Sequence, residues 1–179
     1  MIESLSMNSL QYFKNITTFV FDVDGVLTDG TVYLVQDQVM ARRMNVRDGY
    51  VLQLAIKKGY RIVIISGGYS TEVVARLNKL GITEIFMDQQ NKLSALEQYL
   101  KLHKIKQDEI LCMGDDIPDH EMMQFAGLAA CPADAVPEIR HIAKYISPHK
   151  GGEGCVRDVI EKVLKLRGDW DIDVSIKSK

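Results

Sequence analysis

Four short stretches of strand-forming residues in this chain are apolar almost throughout, instead of at every second position. They are TTFVFDVD (17–24), RIVIIS (Arg61 to Ser66), EIFM (Glu84 to Met87) and EILCMGDD (Glu109 to Asp116). A strand with one wet face alternates. A strand apolar on both faces is covered on both, which is the situation in a parallel sheet. LAAC (Leu128 to Cys131) and KYIS (Lys144 to Ser147) read as short fifth and sixth strands. Helical periods lie between these runs. STEVVARLNKLG starts on a Ser/Thr cap and stops at Gly81. NKLSALEQYLKLH puts Leu93, Leu96 and Leu100 on one face, and CVRDVIEKVLKL does the same with Val156, Val159, Ile160 and Val163. Strands alternating with helices predict right-handed crossovers and a doubly wound α/β parallel sheet, Rossmann-like in its winding.

One segment breaks the alternation. GTVYLVQDQVMARRMNVRDG follows the first strand, where a helix should begin. It reads as a β-hairpin, inserted at about residues 31–47, with strands TVYLV and VMARRMNV around a QDQ turn. The crossover helix then runs from about Asp48 to Lys58. At 179 residues the chain suits a single domain, taken as 1–170, and 171–179 loses its period and reads as a mobile tail.

Composition excludes several classes. A formal net charge of -2 gives no reason to expect nucleic acid or an anionic membrane as partner. No apolar run approaches the roughly 20 residues of a membrane helix. MIESLSMNSLQYFKN lacks the basic start and apolar core of a signal peptide. Cys112, Cys131 and Cys155 share no metal or disulfide spacing, which fits a reducing cytoplasm.

In an open parallel sheet, ligands bind beyond the carboxyl ends of the strands. Asp22 and Asp24 end the first strand, Ser66 with Gly67 and Gly68 ends the second, Lys92 starts the helix after the third, and Asp115, Asp116 and Asp119 follow the fourth. Acids brought this close repel one another unless a cation joins them, and hard oxygen ligands suit Mg²⁺. Mg²⁺ favours phosphate substrates. Ser66 and the backbone N–H groups before the next helix make a phosphate cradle. Lys92 balances charge on a phosphoryl group in flight. One carboxylate can act as nucleophile, and a second, two residues on, can move protons.

The motifs DVDGVLTDG, IISGG, the Lys92 of QQNKL, and GDDIPD occur in order, and over about residues 15–167 the chain resembles the haloacid dehalogenase-like phosphatases. On that resemblance Asp22 is the nucleophile and Asp24 the general acid/base. The Asp22 and Asp115 carboxylates and the Asp24 carbonyl are the Mg²⁺ ligands. Asp116 or Asp119 supports the metal, and Ser66 and Lys92 hold the phosphate. Adding NVRDGYVLQLA and the late GGEGCVRDVIEKVL, the chain is similar to the 3-deoxy-D-manno-octulosonate 8-phosphate (KDO 8-phosphate) phosphatases. The resemblance implies a cap-less homotetramer whose hairpins and neighbouring subunits complete each site. It also implies a phosphorylated sugar acid as substrate and a place in lipopolysaccharide biosynthesis. Thr28, Arg47, Asp48 and Arg76, with Gly67, become candidate substrate contacts or their supports, and GGEG a segment reaching a neighbour's site. Gly68 and Glu153 depart from the family, where many members carry Arg. That leaves 2-keto-3-deoxynononate 9-phosphate as an alternative substrate. A phospho-accepting signalling domain on a similar sheet is a further rival.

Simpler roles stand beside these. Asp29 can begin a turn, Asp116 and Asp119 can cap a helix, and Ser66 can be an N-cap. Arg42 and Arg43 are adjacent in a strand, so alternation allows at most one of them to face a given site. Cys112 reads as core.

Overall fold

The computed structural model describes residues 7–35 and 40–177, with the side chains of 7–10 left aside. In chain order it contains α1 (Met7–Asn15), β1 (Thr18–Phe21), β2 (Tyr33–Leu34), β3 (Met40–Ala41), α2 (Val46–Lys57), β4 (Arg61–Ile65), α3 (Thr71–Lys79), β5 (Glu84–Phe86), α4 (Lys92–His103), β6 (Ile110–Met113), α5 (His120–Phe125), β7 (Leu128–Cys131), α6 (Pro137–Ile142), β8 (Tyr145–Ile146) and α7 (Cys155–Arg167).

Six strands form one sheet in the order β5-β4-β1-β6-β7-β8, and every pairing in it is parallel. Successive residues of the central strand feed two separate cores. Phe19 and Phe21 stack at 6.0 Å and pack with Val51, Leu77, Val159 and Val163. Val20, between them, packs with Leu96, Met122 and Ile139. Helices α1, α2, α3 and α7 therefore cover one face, and α4, α5 and α6 the other. This is the physical reason the strand runs are apolar throughout.

The hairpin is a separate two-stranded antiparallel sheet, pairing Tyr33 with Ala41 and Leu34 with Met40. A bridge between Thr28 and Met44 roots it to the loop after β1. The expected QDQ turn lies outside the described residues. The crossover helix α2 starts two residues before Asp48, because the Asn45 side chain accepts the Arg47 N–H and caps it there. Residues 171–177, read from sequence as a tail, run along α2. Tyr50 Oη accepts the Asp173 N–H at 3.0 Å, and Lys57 and Lys58 pair with Asp173 and Asp171. Among the described residues no helix is long and apolar enough to cross a membrane.

Candidate active site

The register of the sheet brings the acids together. Phe21 stands opposite Ile64 on one side and Met113 on the other, so β1 and β6 end level and β4 runs one residue further. The Asp22 N–H donates to Met113 O at 3.1 Å, which carries the β1–β6 ladder one residue past the strand. Asp22 and Ser66 therefore emerge side by side, with Asp115 just beyond β6. Asp22, Asp24, Ser66, Gly67, Lys92, Asp115 and Asp119 share a cavity of about 290 Å³. A larger cleft of about 640 Å³, lined by Tyr12, Gln107 and Lys144, holds no such group of acids.

After Asp22 the chain makes one wide turn, Val23–Leu27, closed by the Thr28 N–H on Val23 O at 3.0 Å. Gly25 has φ +84° there, and a Cβ on it would sit 2.0 Å from Asp115 Oδ2. Only glycine lets β1's loop and Asp115 approach this closely. Thr28 is buried, and its hydroxyl accepts the N–H groups of Gly25 (3.4 Å) and Gly30 (3.3 Å) while lying 3.5 Å from Asp24 Oδ1. Thr28 thus shapes the loop that carries both aspartates.

The GGEG segment backs the same loop in its own chain. The Gly152 N–H donates to Val26 O at 3.0 Å. A Cβ on Gly151 would lie 1.9 Å from Gly25 O. Glu153, at the exposed edge of this contact, is 3.8 Å from Arg43, which also pairs with Asp29 at 3.0 Å.

Lys92 begins α4, capped by Asn91 accepting the Ser94 N–H, and its ammonium is buried among acids. It donates to Asp119 Oδ1 at 2.6 Å and lies 3.0 Å from Asp22 Oδ1 without hydrogen-bond alignment. Asp119 is 1% exposed, and its other oxygen accepts the N–H groups of Asp115 (3.0 Å) and Asp116 (3.4 Å). Asp116 in turn accepts the Ile117 N–H at 2.8 Å. Asp119 therefore fixes the GDDIPD loop and holds Lys92 in one arrangement. Ser66 is buried and accepts the Gly68 N–H at 3.2 Å.

Carboxylate oxygens of Asp22, Asp115 and Asp119 lie within 4.8 Å of one another. The buried Asp22 Oδ1 and Asp115 Oδ1 have no hydrogen-bond partner among the described residues. Burial first, then the Asp119 charge, pushes Asp22 up from the usual carboxylate range, and Lys92 opposes the push. Asp115 is raised to about 7 by burial and by Asp119, Asp22 and Asp116. An unpartnered Asp115 oxygen beside Asp22, in a pair of acids that resist ionising together, fits a small hard cation, and Mg²⁺ suits that donor set.

The remaining expected residues lie at the cavity's mouth or outside it. Asp24 is at the mouth of the cavity and turns its carboxylate to Arg42, a residue no sequence motif singled out. Arg47 and Arg76 line a separate cavity of about 220 Å³ with Tyr50 and Arg157. Asp48 is buried and accepts the Arg157 N–H at 2.8 Å, at the start of α7. Cys112 is in the core, as expected.

A parallel sheet with Asp22, Ser66, Lys92 and Asp115 at its carboxyl edge defines a haloacid dehalogenase-like hydrolase, and residues 69–160 match that family's model. The chain is 35% identical over 158 residues to the 3-deoxy-D-manno-octulosonate 8-phosphate phosphatase of Escherichia coli (strain K12), spanning 88% of this chain and 84% of that one. The crystal structure of the Yersinia pestis phosphatase matches with a TM-score of 0.90 and 32% identity, covering 92% of this chain and 89% of that one. The Moraxella catarrhalis phosphatase, solved with a magnesium ion, a phosphate ion and a KDO molecule, matches with a TM-score of 0.88 and 33% identity, covering 92% and 95%. The chain belongs to the family of these 3-deoxy-D-manno-octulosonate 8-phosphate phosphatases.

Proposed function

We propose that this chain is a Mg²⁺-dependent phosphatase that hydrolyses KDO 8-phosphate to KDO and phosphate. One observation carries the reading. A buried aspartate, Asp22, shares a cavity with Asp115, Asp116, Asp119 and a lysine, and Asp24 follows it two residues on. Mg²⁺ bound by Asp22 and Asp115 would neutralise these acids and draw charge from the phosphoryl oxygens. Asp22 attacks phosphorus, and the bond to the sugar oxygen breaks. Asp24 gives that oxygen a proton, and the phosphoryl group stays on Asp22. Asp24 then takes a proton from water, which attacks the aspartyl-phosphate, releases phosphate and restores Asp22. Lys92 and Ser66 hold the phosphoryl oxygens. The relatives' substrate favours the eight-carbon acid over the nine-carbon alternative.

Phosphate release from KDO 8-phosphate and from 2-keto-3-deoxynononate 9-phosphate, measured side by side with Mg²⁺, tests this. The expected result is higher kcat/KM on the eight-carbon acid, loss of turnover with EDTA, and no turnover by Asp22→Asn. Equal use of both acids, or full turnover by Asp22→Asn, overturns it.

We further infer a homotetramer built through the hairpin, working in the cytoplasm on the route to lipopolysaccharide. Leu34 is 83% exposed and Tyr33, Val35 and Met40 are about half exposed, an apolar edge that a lone two-stranded ribbon cannot cover. All three cysteines are free and buried, which fits a reducing compartment.

A further inference from the structure

Arg42 follows β3 and belongs to no motif, yet its side chain is 8% exposed. It meets Asp24 with two bonds, Nε to Oδ1 at 2.6 Å and Nη2 to Oδ2 at 3.1 Å. The third arm, Nη1, donates to Met40 O at 3.1 Å, so the fork is fastened to the hairpin and does not swing on a free stem. A Cβ on Gly68 would lie 3.5 Å from Asp24 Oδ2 and 3.7 Å from Arg42 Nη2, so the Asp24–Arg42 pair lies alongside Gly68 at contact distance. A bidentate guanidinium fixes both the plane and the direction of a carboxylate, whereas an ammonium fixes little more than its distance.

We propose that Arg42 is the positioning residue for Asp24: the hairpin, through this one fork, sets the direction in which Asp24 presents its carboxylate to the reacting oxygen. Arg42 acts through Asp24 and needs no contact with substrate. The inference rests on the reading of Asp24 as acid/base. Without Arg42, the one other side chain among the described residues bonded to Asp24 is Thr28, at 3.5 Å. A carboxylate steered by so long a contact loses the alignment on which proton transfer depends. Arg43, one residue on, pairs outward with Asp29 and Glu153 on the exposed side and serves as the internal control.

The test compares Arg42→Ala, Arg42→Lys and Arg43→Ala in the full-length, Mg²⁺-loaded enzyme with KDO 8-phosphate. Arg42→Ala is expected to lower kcat about 10- to 100-fold with KM within about twofold. Guanidinium ion at low millimolar concentration should restore part of that kcat in Arg42→Ala and do nothing to the unaltered enzyme. Arg42→Lys should recover little, and Arg43→Ala should stay within about twofold of the parent. Melting curves accompany each variant, and if Arg42→Ala does not fold, Arg42→Lys must still show the kcat loss. A loss confined to KM would make Arg42 a substrate ligand and overturn the proposal, as would unchanged kinetics. Asp24→Asn separates the two readings. If it is crippled while Arg42→Ala is intact, the positioning role alone fails. If it too turns over normally, the acid/base role of Asp24 fails.

Discussion

Lys92 Nζ and Asp119 Oδ1 are 2.6 Å apart in a part of the site where both side chains are almost fully buried. An ion pair so deeply buried is costly to break from one side, because the surviving charge keeps its desolvation penalty. Asp119→Ala leaves Lys92 with Asp22 as its remaining acid partner and also strips the acceptor from the Asp115 and Asp116 N–H groups. The expected cost is about 3 kcal/mol in urea unfolding, with kcat down at least about 100-fold. Unfolding of Asp119→Ala at the parent's urea midpoint would show that the pair is not structural.

Gly25→Ala tests the close approach of the loops that follow β1 and β6. The added methyl falls inside the Asp115 carboxylate, and φ +84° adds about 1–2 kcal/mol of backbone strain. The loop can yield only by moving Asp22 or Asp115. Turnover should fall at least about 100-fold while circular dichroism stays unchanged. Near-normal kcat would mean that the loops have room to part.

Mg²⁺ binding should release protons near neutral pH. Asp115, held at about 7 without a cation, must give up its proton to become a ligand. Affinity is therefore expected to fall as pH drops from 8 to 6. Calorimetry in buffers of different ionisation heat reads the released proton directly. Pure cation binding at pH 7, with no proton released, would contradict the assignment.

Asp48 gives the fold a pH signature away from the acids of the active site. Burial lifts it to about 6, against the opposing pull of the Arg157 N–H and the Arg47 and Arg157 charges. An acid raised on folding stabilises the protein below its ordinary value near 3.8, and that contribution is lost as pH climbs through about 6. The difference amounts to roughly 3 kcal/mol by neutral pH. Asp48→Asn keeps an oxygen for the Arg157 N–H. It should gain stability relative to the parent between pH 4 and pH 7, as read from paired melting curves. A constant difference across that range would show that Asp48 does not titrate there.

The exposed edge of the hairpin predicts association. Light scattering should report a particle near four times the 20.2 kDa chain. Leu34→Asp, which puts a charge on that edge, should shift it to smaller species. A monomeric parent protein would refute the assembly.

The sheet was legible because its signal is local. Apolar runs at β1, β4, β6 and β7 mark strands buried on both faces, and the cap at Ser70 marks where α3 starts. Asp22, Ser66, Lys92 and Asp115 follow from strand ends alone, and the sheet brings them together. Arg42 was not legible in that way. Alternation says only that Arg42 and Arg43 part company. Which of them turns inward depends on how the hairpin is rooted by the Thr28–Met44 bridge. The partners of Thr28 and of Gly152 depend equally on contacts far apart in sequence. Helices α5 and α6, of six residues each, are too short to show a period. Residues 171–177 show none because single polar contacts to Tyr50, Lys57 and Lys58 tie them down.

The meeting of Gly151 and Gly152 with the loop after β1 has a consequence in time. A chain emerging from the ribosome makes Asp22 before β4 and β6, which flank β1 and come some 40 and 90 residues after it. The glycines that back the loop after Asp22 come later still, at 151 and 152. No nascent fragment that stops short of residue 152 contains every wall of the site. The site can therefore be walled in only after residue 152 has been made.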